Sequence, residues 1–411
     1  AGSAYTFTYT TVGEIVAWVI GWDLILEMLM AGSVVSKYWG VYLNQFFELI
    51  GWNINTNIAI GSFNFDLAPV IIVAFFTALL VMGTKIGARV DGALTILKIA
   101  IVVFIVVVGF FYIKAENFTP FIPPSEPAAS TDGSGVSAVM EQPLWQWATG
   151  MAPSIYGVTG IISGAALVFF AFLGFDVVAT ASEETINPKK NVPLGIGVGL
   201  GLIIVLYTLV AIVTTGMVSY KDLAKQSDPS LAVAFKMVGA DWAAKIISLG
   251  IVIGMATVVM VLLLGLTRVV FAMSRDGLLP RGLSHTGKHG TPVRLQIIVG
   301  VVMALIAACC NVGILSDMVN IGTLSAFTLV AISIPIMRKK RPDLERSFKI
   351  PGNPWVPILI ALANLWLMVN LSVLTWIRFV VWLIVGFAIY FGYGYRHARL
   401  GAGELEVAAQ E

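Results

Sequence analysis

Ten apolar stretches run along this chain, at residues 12–36, 67–83, 91–113, 156–181, 192–218, 239–273, 295–312, 318–337, 353–374 and 377–395. A helix needs roughly 20 residues to cross a hydrocarbon core about 30 Å thick; the second and seventh runs are short, and the sixth is long enough to tilt or to project from the bilayer. No soluble fold has room for that many. Charged residues are 12% of the 411 and hydrophobic ones 58%, against about 25% and about 45–50% in soluble domains. The fold class is therefore an all-α membrane protein, one transmembrane domain over residues 1–411. Strands of a β-barrel would be about ten residues long and alternating, unlike these runs.

Lysine and arginine set the expected orientation. Sixteen of the 25 fall in loops on one side, such as Lys189, Lys190, Arg275, Arg281 and the cluster Arg338–Arg341. Seven lie on the other side, and residues 40–66 contain none. The basic side and both termini are expected in the cytoplasm, with the whole in the plasma membrane. Residues 114–155 then form an extracellular loop, flexible over the proline-, serine- and glycine-rich segment 123–140, followed by a helix near Trp145 and Trp147 that suits the lipid interface. The first residues lack an initiator methionine and a signal-peptide pattern, so the chain is expected to start inside a loop.

Ionisable residues inside the spans are the functional candidates, because each costs about 2.5–3.5 kcal/mol at the bilayer centre unless paired or hydrated. Lys245 and Arg268 lie near span ends, where long side chains snorkel to the interface. Asp23 shares a helix face with Glu27 and has a plain reading as a packing hydrogen bonder. Glu27, Lys98 and Asp176 are too deep to snorkel, the last two both roughly 10 Å from the basic side by helical rise. Asp176 closes the segment Phe169-Phe170-Ala171-Phe172-Leu173-Gly174-Phe175-Asp176, where a glycine sits between bulky aromatics. An unwound turn at Gly174 would free backbone carbonyls for a cation or an ammonium group. The competing reading is an intact helix with a packing glycine.

Other patterns carry less. Gly195, Gly197, Gly199 and Gly201 imitate a dinucleotide fingerprint, but no strand precedes them, and close helix packing explains them better, as it does Gly250 and Gly254. His285 and His289 read as loop residues, and the adjacent Cys309 and Cys310 offer neither a disulfide framework nor a metal site. No nucleophile–base set or phosphate loop is present, so catalysis, a cofactor and a metal are not expected. A net charge of +2 gives no reason to expect nucleic acid as a partner.

Several stretches resemble the amino acid–polyamine–organocation transporters, most closely the cationic amino acid transporter-like branch: AGSAYTFTYTTVGE at 1–14, GWDLILE at 21–27, FFAFLGFD at 169–176, SEETINPKKNVP at 182–193, LTRVVFAMSRDGLLP at 266–280 and NIGTLSAF at 320–327. The resemblance implies two inverted five-helix repeats plus two further helices, with the ten spans here matching helices three to twelve and the first two absent. It implies that carbonyls of Phe170, Ala171 and Leu173, beside Gly174, accept a substrate ammonium, with Phe170 closing over it and Asp176 acting electrostatically. Lys98 would serve proton coupling or exchange. Glu27 would face the substrate's side-chain end and pair with a lysine or arginine, while Leu262 limits size. The expected function is secondary transport of amino acids, cationic ones first. The alternatives are a neutral amino acid or polyamine carrier, or a non-transporting membrane protein.

Overall fold

The computed structural model describes residues 5, 8–9, 13–52, 54, 56–60, 63–83, 88–127, 136–152, 154–175, 178, 185–226, 228–287, 291–340, 342 and 350–398. Ten helices fall on the ten apolar runs: α1 Glu14–Leu49, α2 Leu67–Val81, α3 Ala88–Phe110, α4 Gly157–Val168, α5 Pro188–Met217, α6 Asp241–Arg275, α7 Val293–Cys309, α8 Val312–Lys340, α9 Trp355–Val369 and α10 Val373–Ile389. Among the described residues, six helices are long and apolar enough to cross a membrane. The other four, α2, α4, α7 and α9, are apolar but shorter, with turn chemistry trimming their ends. Asp66, for example, accepts from Ala68 N–H at 3.2 Å and fixes the start of α2.

Burial ranks the helices. In α1, 78% of the most apolar window is enclosed, against 6% in α5. The main core joins α1 to α2, α6 and α7, and an aromatic ladder ties α1 to α10. Trp18 stacks on Trp22, whose ring lies 4.4 Å from that of Trp382 and whose Nε1 donates to the Trp382 carbonyl at 2.9 Å. A second core gathers α3, α5 and the start of α6.

Two expectations need correction. The helix that carries the first apolar run does not stop with it at residue 36; α1 continues to Leu49. Beyond the apolar run its polar residues find partners instead: Lys236 Nζ reaches Glu48 at 2.8 Å, Ser230 donates to Gln45, and the Leu231 N–H donates to Tyr42. Close packing holds for Gly250 and Gly254, which face Ile101 and Lys98 of α3. It fails for Gly195, Gly197, Gly199 and Gly201, where an added Cβ would meet nothing within 4 Å, because α5 lies at the edge of the described bundle. Within 123–140, Glu126–Pro127 pairs as a strand with Ser154–Ile155 and Val136–Glu141 is helical, while 128–135 lie outside the described residues. Trp145 and Trp147 fall on the short helix Leu144–Thr149, and Trp145 donates to Asn370 at 2.8 Å.

At the basic face Tyr5, fully buried, donates its hydroxyl to Asp276 Oδ2 at 3.0 Å. Burial, then the Asp276 charge, hold the phenol far above its ordinary range, so it remains a donor. Removing a bond to a charged group costs about 1.5–3 kcal/mol. Tyr5→Phe is therefore expected to lower the thermal-unfolding midpoint in detergent by several degrees, and an unchanged midpoint would show that the bond contributes nothing.

Candidate functional site

The fourth helix breaks where its sequence suggests. Regular α-helix ends at Val168, Phe169–Phe172 tighten into a 3-10 turn, Leu173 is extended (φ −70°, ψ 153°) and Gly174 takes φ 108°. Residues with side chains rarely adopt that last conformation, which is why the break falls on a glycine. Helical hydrogen bonds are lost across the turn, and buried backbone groups must find other partners.

Two side chains replace them. Asn320, fully buried on α8, donates Nδ2 to the Leu167 carbonyl at 2.8 Å. Tyr207 on α5 donates its hydroxyl to the Ala171 carbonyl at 2.9 Å. The Phe170 carbonyl accepts from Leu173 N–H at 3.2 Å. Each carbonyl has two lone pairs, so one contact leaves capacity for a ligand donor. The open turn is thus bracketed from two flanking helices.

The aromatics divide in the same way. Phe169 and Phe175 pack on Phe327, and Phe172 packs on Tyr207 with centroids 5.3 Å apart. Among the described residues Phe170, half-buried, has no ring partner.

The other expected site residues lie on α1, α3 and α6, and packing among the described residues brings α1, not Lys98 or Leu262, to the broken segment. Glu27 is 3% exposed, and its α1 neighbours Leu26 and Met30 share a cluster with Ala166 and Phe169 of the broken segment. Asp23, one turn earlier, lies beside Ser325 of α8. Leu262 of α6 approaches α1 at Gly32, where an added Cβ would come within 3.7 Å of it. Lys98 stands at the middle of α3 with its stem laid over Gly254 of α6, so close that a side chain there would meet its Cγ at 3.2 Å. Asp176 lies outside the described residues. Tyr207, Asn320 and Phe327 were assigned no role from sequence. A hydroxyl or amide within an apolar run was the only signal for the first two.

The amino acid permease family matches residues 1–392. A branched-chain amino acid permease of Bacillus subtilis (strain 168) is 40% identical over 97% of this chain and 81% of its own length. A methylthioribose transporter of the same organism is 39% identical over the same shares. Cationic amino acid transporter 4 of Homo sapiens is 27% identical over 98% of this chain and 78% of its own length.

Proposed function

Because the chain belongs to the amino acid permease family, we propose that it is a secondary carrier of amino acids whose substrate ammonium rests on the carbonyls freed around Phe170, Ala171 and Leu173. The observation that carries this reading is the break itself, with Gly174 at φ 108° and the Phe170 ring unstacked beside it. Discontinuous helices supply such acceptors at the midplane sites of transporters.

A neutral, apolar side chain is the reading favoured for the far end of the site. The relatives at 39% and 40% identity are named for methylthioribose and branched-chain amino acids. Leu262, which with Met303 lies against α1 at Gly32, is apolar. The second reading is a cationic substrate, favoured by the two acids Asp23 and Glu27 buried one turn apart on α1. Lys98, at mid-helix, is assigned to proton coupling or exchange, since a lysine moves readily between charge states when buried. By the loop charges, the basic face is assigned to the cytoplasm.

Uptake of labelled leucine and arginine into proteoliposomes, with and without an imposed proton gradient, tests the proposal. Saturable leucine uptake accelerated by an inward proton gradient is expected, and Glu27→Gln is expected to leave it within about twofold. A selective loss of arginine uptake in that variant, about tenfold or more, would establish the cationic reading instead. Absence of saturable uptake of any amino acid would overturn the carrier assignment.

A further inference from the structure

At the basic face, beyond the last turn of α10, lies a cavity of about 910 Å³. Three segments wall it: Glu14 and Ile15 at the start of α1, Arg281 in the turn after α6, and Tyr390, Tyr395 and Arg396 past the end of α10. Their backbones are packed on one another. A Cβ on Gly277 would run into the His397 carbonyl, and one on Gly394 would meet the Leu278 carbonyl at 3.0 Å. Tyr390 ties in the third segment by donating its hydroxyl to Glu14 Oε1 at 2.7 Å. The chain opens there into a π turn, Tyr390–Gly394, a distortion that concentrates at functional sites.

The charges on this wall do not balance. Arg281 and Arg396 are exposed, and among the described residues neither guanidinium makes an ion pair or a side-chain hydrogen bond. Basic residues at the opposite face are treated otherwise: Lys221, Lys225 and Lys236 each hold a carboxylate at 2.7 to 2.9 Å. Among the described lining residues Glu14 is the one acid, and Tyr390 already engages it. His397 lines the cavity too, with its Nδ1 at 2.8 Å from the Tyr393 carbonyl.

An apolar stripe leads into the same cavity. Ile377, Val380, Ile384, Phe391 and Tyr395 recur at helical spacing, each between 47% and 66% exposed. Over those 18 steps the stripe covers about 27 Å, close to the roughly 30 Å of a hydrocarbon core. A free anion would use the arginines and leave the stripe bare, and an uncharged lipid would do the reverse. A lipid bearing a phosphate uses both, since the guanidinium fork matches phosphate oxygens in two parallel bonds. We propose that this cavity holds the headgroup of an anionic phospholipid, with Arg281 and Arg396 on its phosphate and an acyl chain laid along α10. Tyr395 marks the level of the glycerol, where amphipathic rings settle in membranes. Glu14 is a single charge against two, so a headgroup with net negative charge is preferred to a zwitterionic one. The site follows from the membrane placement of α10 and is independent of which substrate the protein carries.

The test uses the purified full chain, delipidated in detergent, with dioleoylphosphatidylglycerol as the probe and native mass spectrometry as the readout. Saturable binding is expected, about tenfold tighter than for dioleoylphosphatidylcholine. Arg281→Gln and Arg396→Gln should each weaken it by about fivefold or more. Both positions are exposed, so neither change disturbs the core, and the two variants check one another. Lys190→Gln removes a charge from the same face on the edge helix α5 and should leave binding unchanged, which separates a site from the general attraction of a basic face for anionic lipid. The proposal is overturned by no saturable binding, by equal affinity for the phosphatidylcholine, or by unchanged affinity in both arginine variants. An equal loss in Lys190→Gln would also overturn it, as would displacement by inorganic phosphate at the same concentration, which would make this a free-anion site.

Discussion

Gly174→Ala is expected to cut the maximal rate of amino acid uptake by about tenfold or more while leaving the protein as stable as before, or more so. The space around Gly174 is open, and an added Cβ would meet nothing within 4 Å, so no clash drives the effect. The backbone does. A residue with a side chain held at φ 108° costs about 1–3 kcal/mol. The cheapest relief is to return position 174 to helical geometry, where alanine is favoured over glycine by about 1 kcal/mol. That movement would rebuild the ladder across Phe170–Gly174 and occupy the carbonyls assigned to the substrate. Gly164, in the regular part of α4 and also in open space, is the control: alanine there has no strained angle to relieve and should leave uptake unchanged. Paired uptake and thermal-unfolding measurements on the two variants separate the effects. Unchanged uptake in Gly174→Ala would show that transport does not need the open turn.

The legible parts of this protein were those set by composition over a window or by one backbone angle. A run of apolar residues identifies a helix without any knowledge of its neighbours, so all ten were found, and a glycine among four phenylalanines marked the turn at 169–174. What failed depended on contacts between distant residues. The outer third of α1, Lys37–Leu49, is too polar for a hydropathy reading and is held through Tyr42, Gln45 and Glu48 by residues 230–236. Small residues at 195–201 show only that a helix could approach there, and among the described residues none does. In the site, the broken segment was visible, but its two brackets were not. Tyr207 lies 36 residues from Ala171 and Asn320 lies 153 from Leu167, and neither pairing leaves a local pattern.

Asn320→Leu is the substitution that tells whether the second bracket serves stability or transport. Asn320 is fully buried; its Nδ2 holds the Leu167 carbonyl, and its Oδ1 has no partner among the described residues. Leucine, close in volume, removes both at once. Losing the bond costs about 0.5–1.5 kcal/mol, and stranding the carbonyl adds about 1–3, but deleting an orphaned amide oxygen returns a similar amount. The net change in stability is expected to stay within about 1 kcal/mol. Uptake should fall far more, by about tenfold, because without the amide the last regular turn of α4 has no fixed end and the freed carbonyls lose their placement. Asn320→Asp separates the two roles further. A carboxylate cannot donate to Leu167, and a buried, unpaired charge there should destabilise the protein by about 3 kcal/mol or more. If Asn320→Leu unfolds readily while its remaining folded fraction transports normally, the amide is a structural clamp. If it folds normally and transports poorly, a buried oxygen without a donor has been kept because the amide beside it sets where the helix opens.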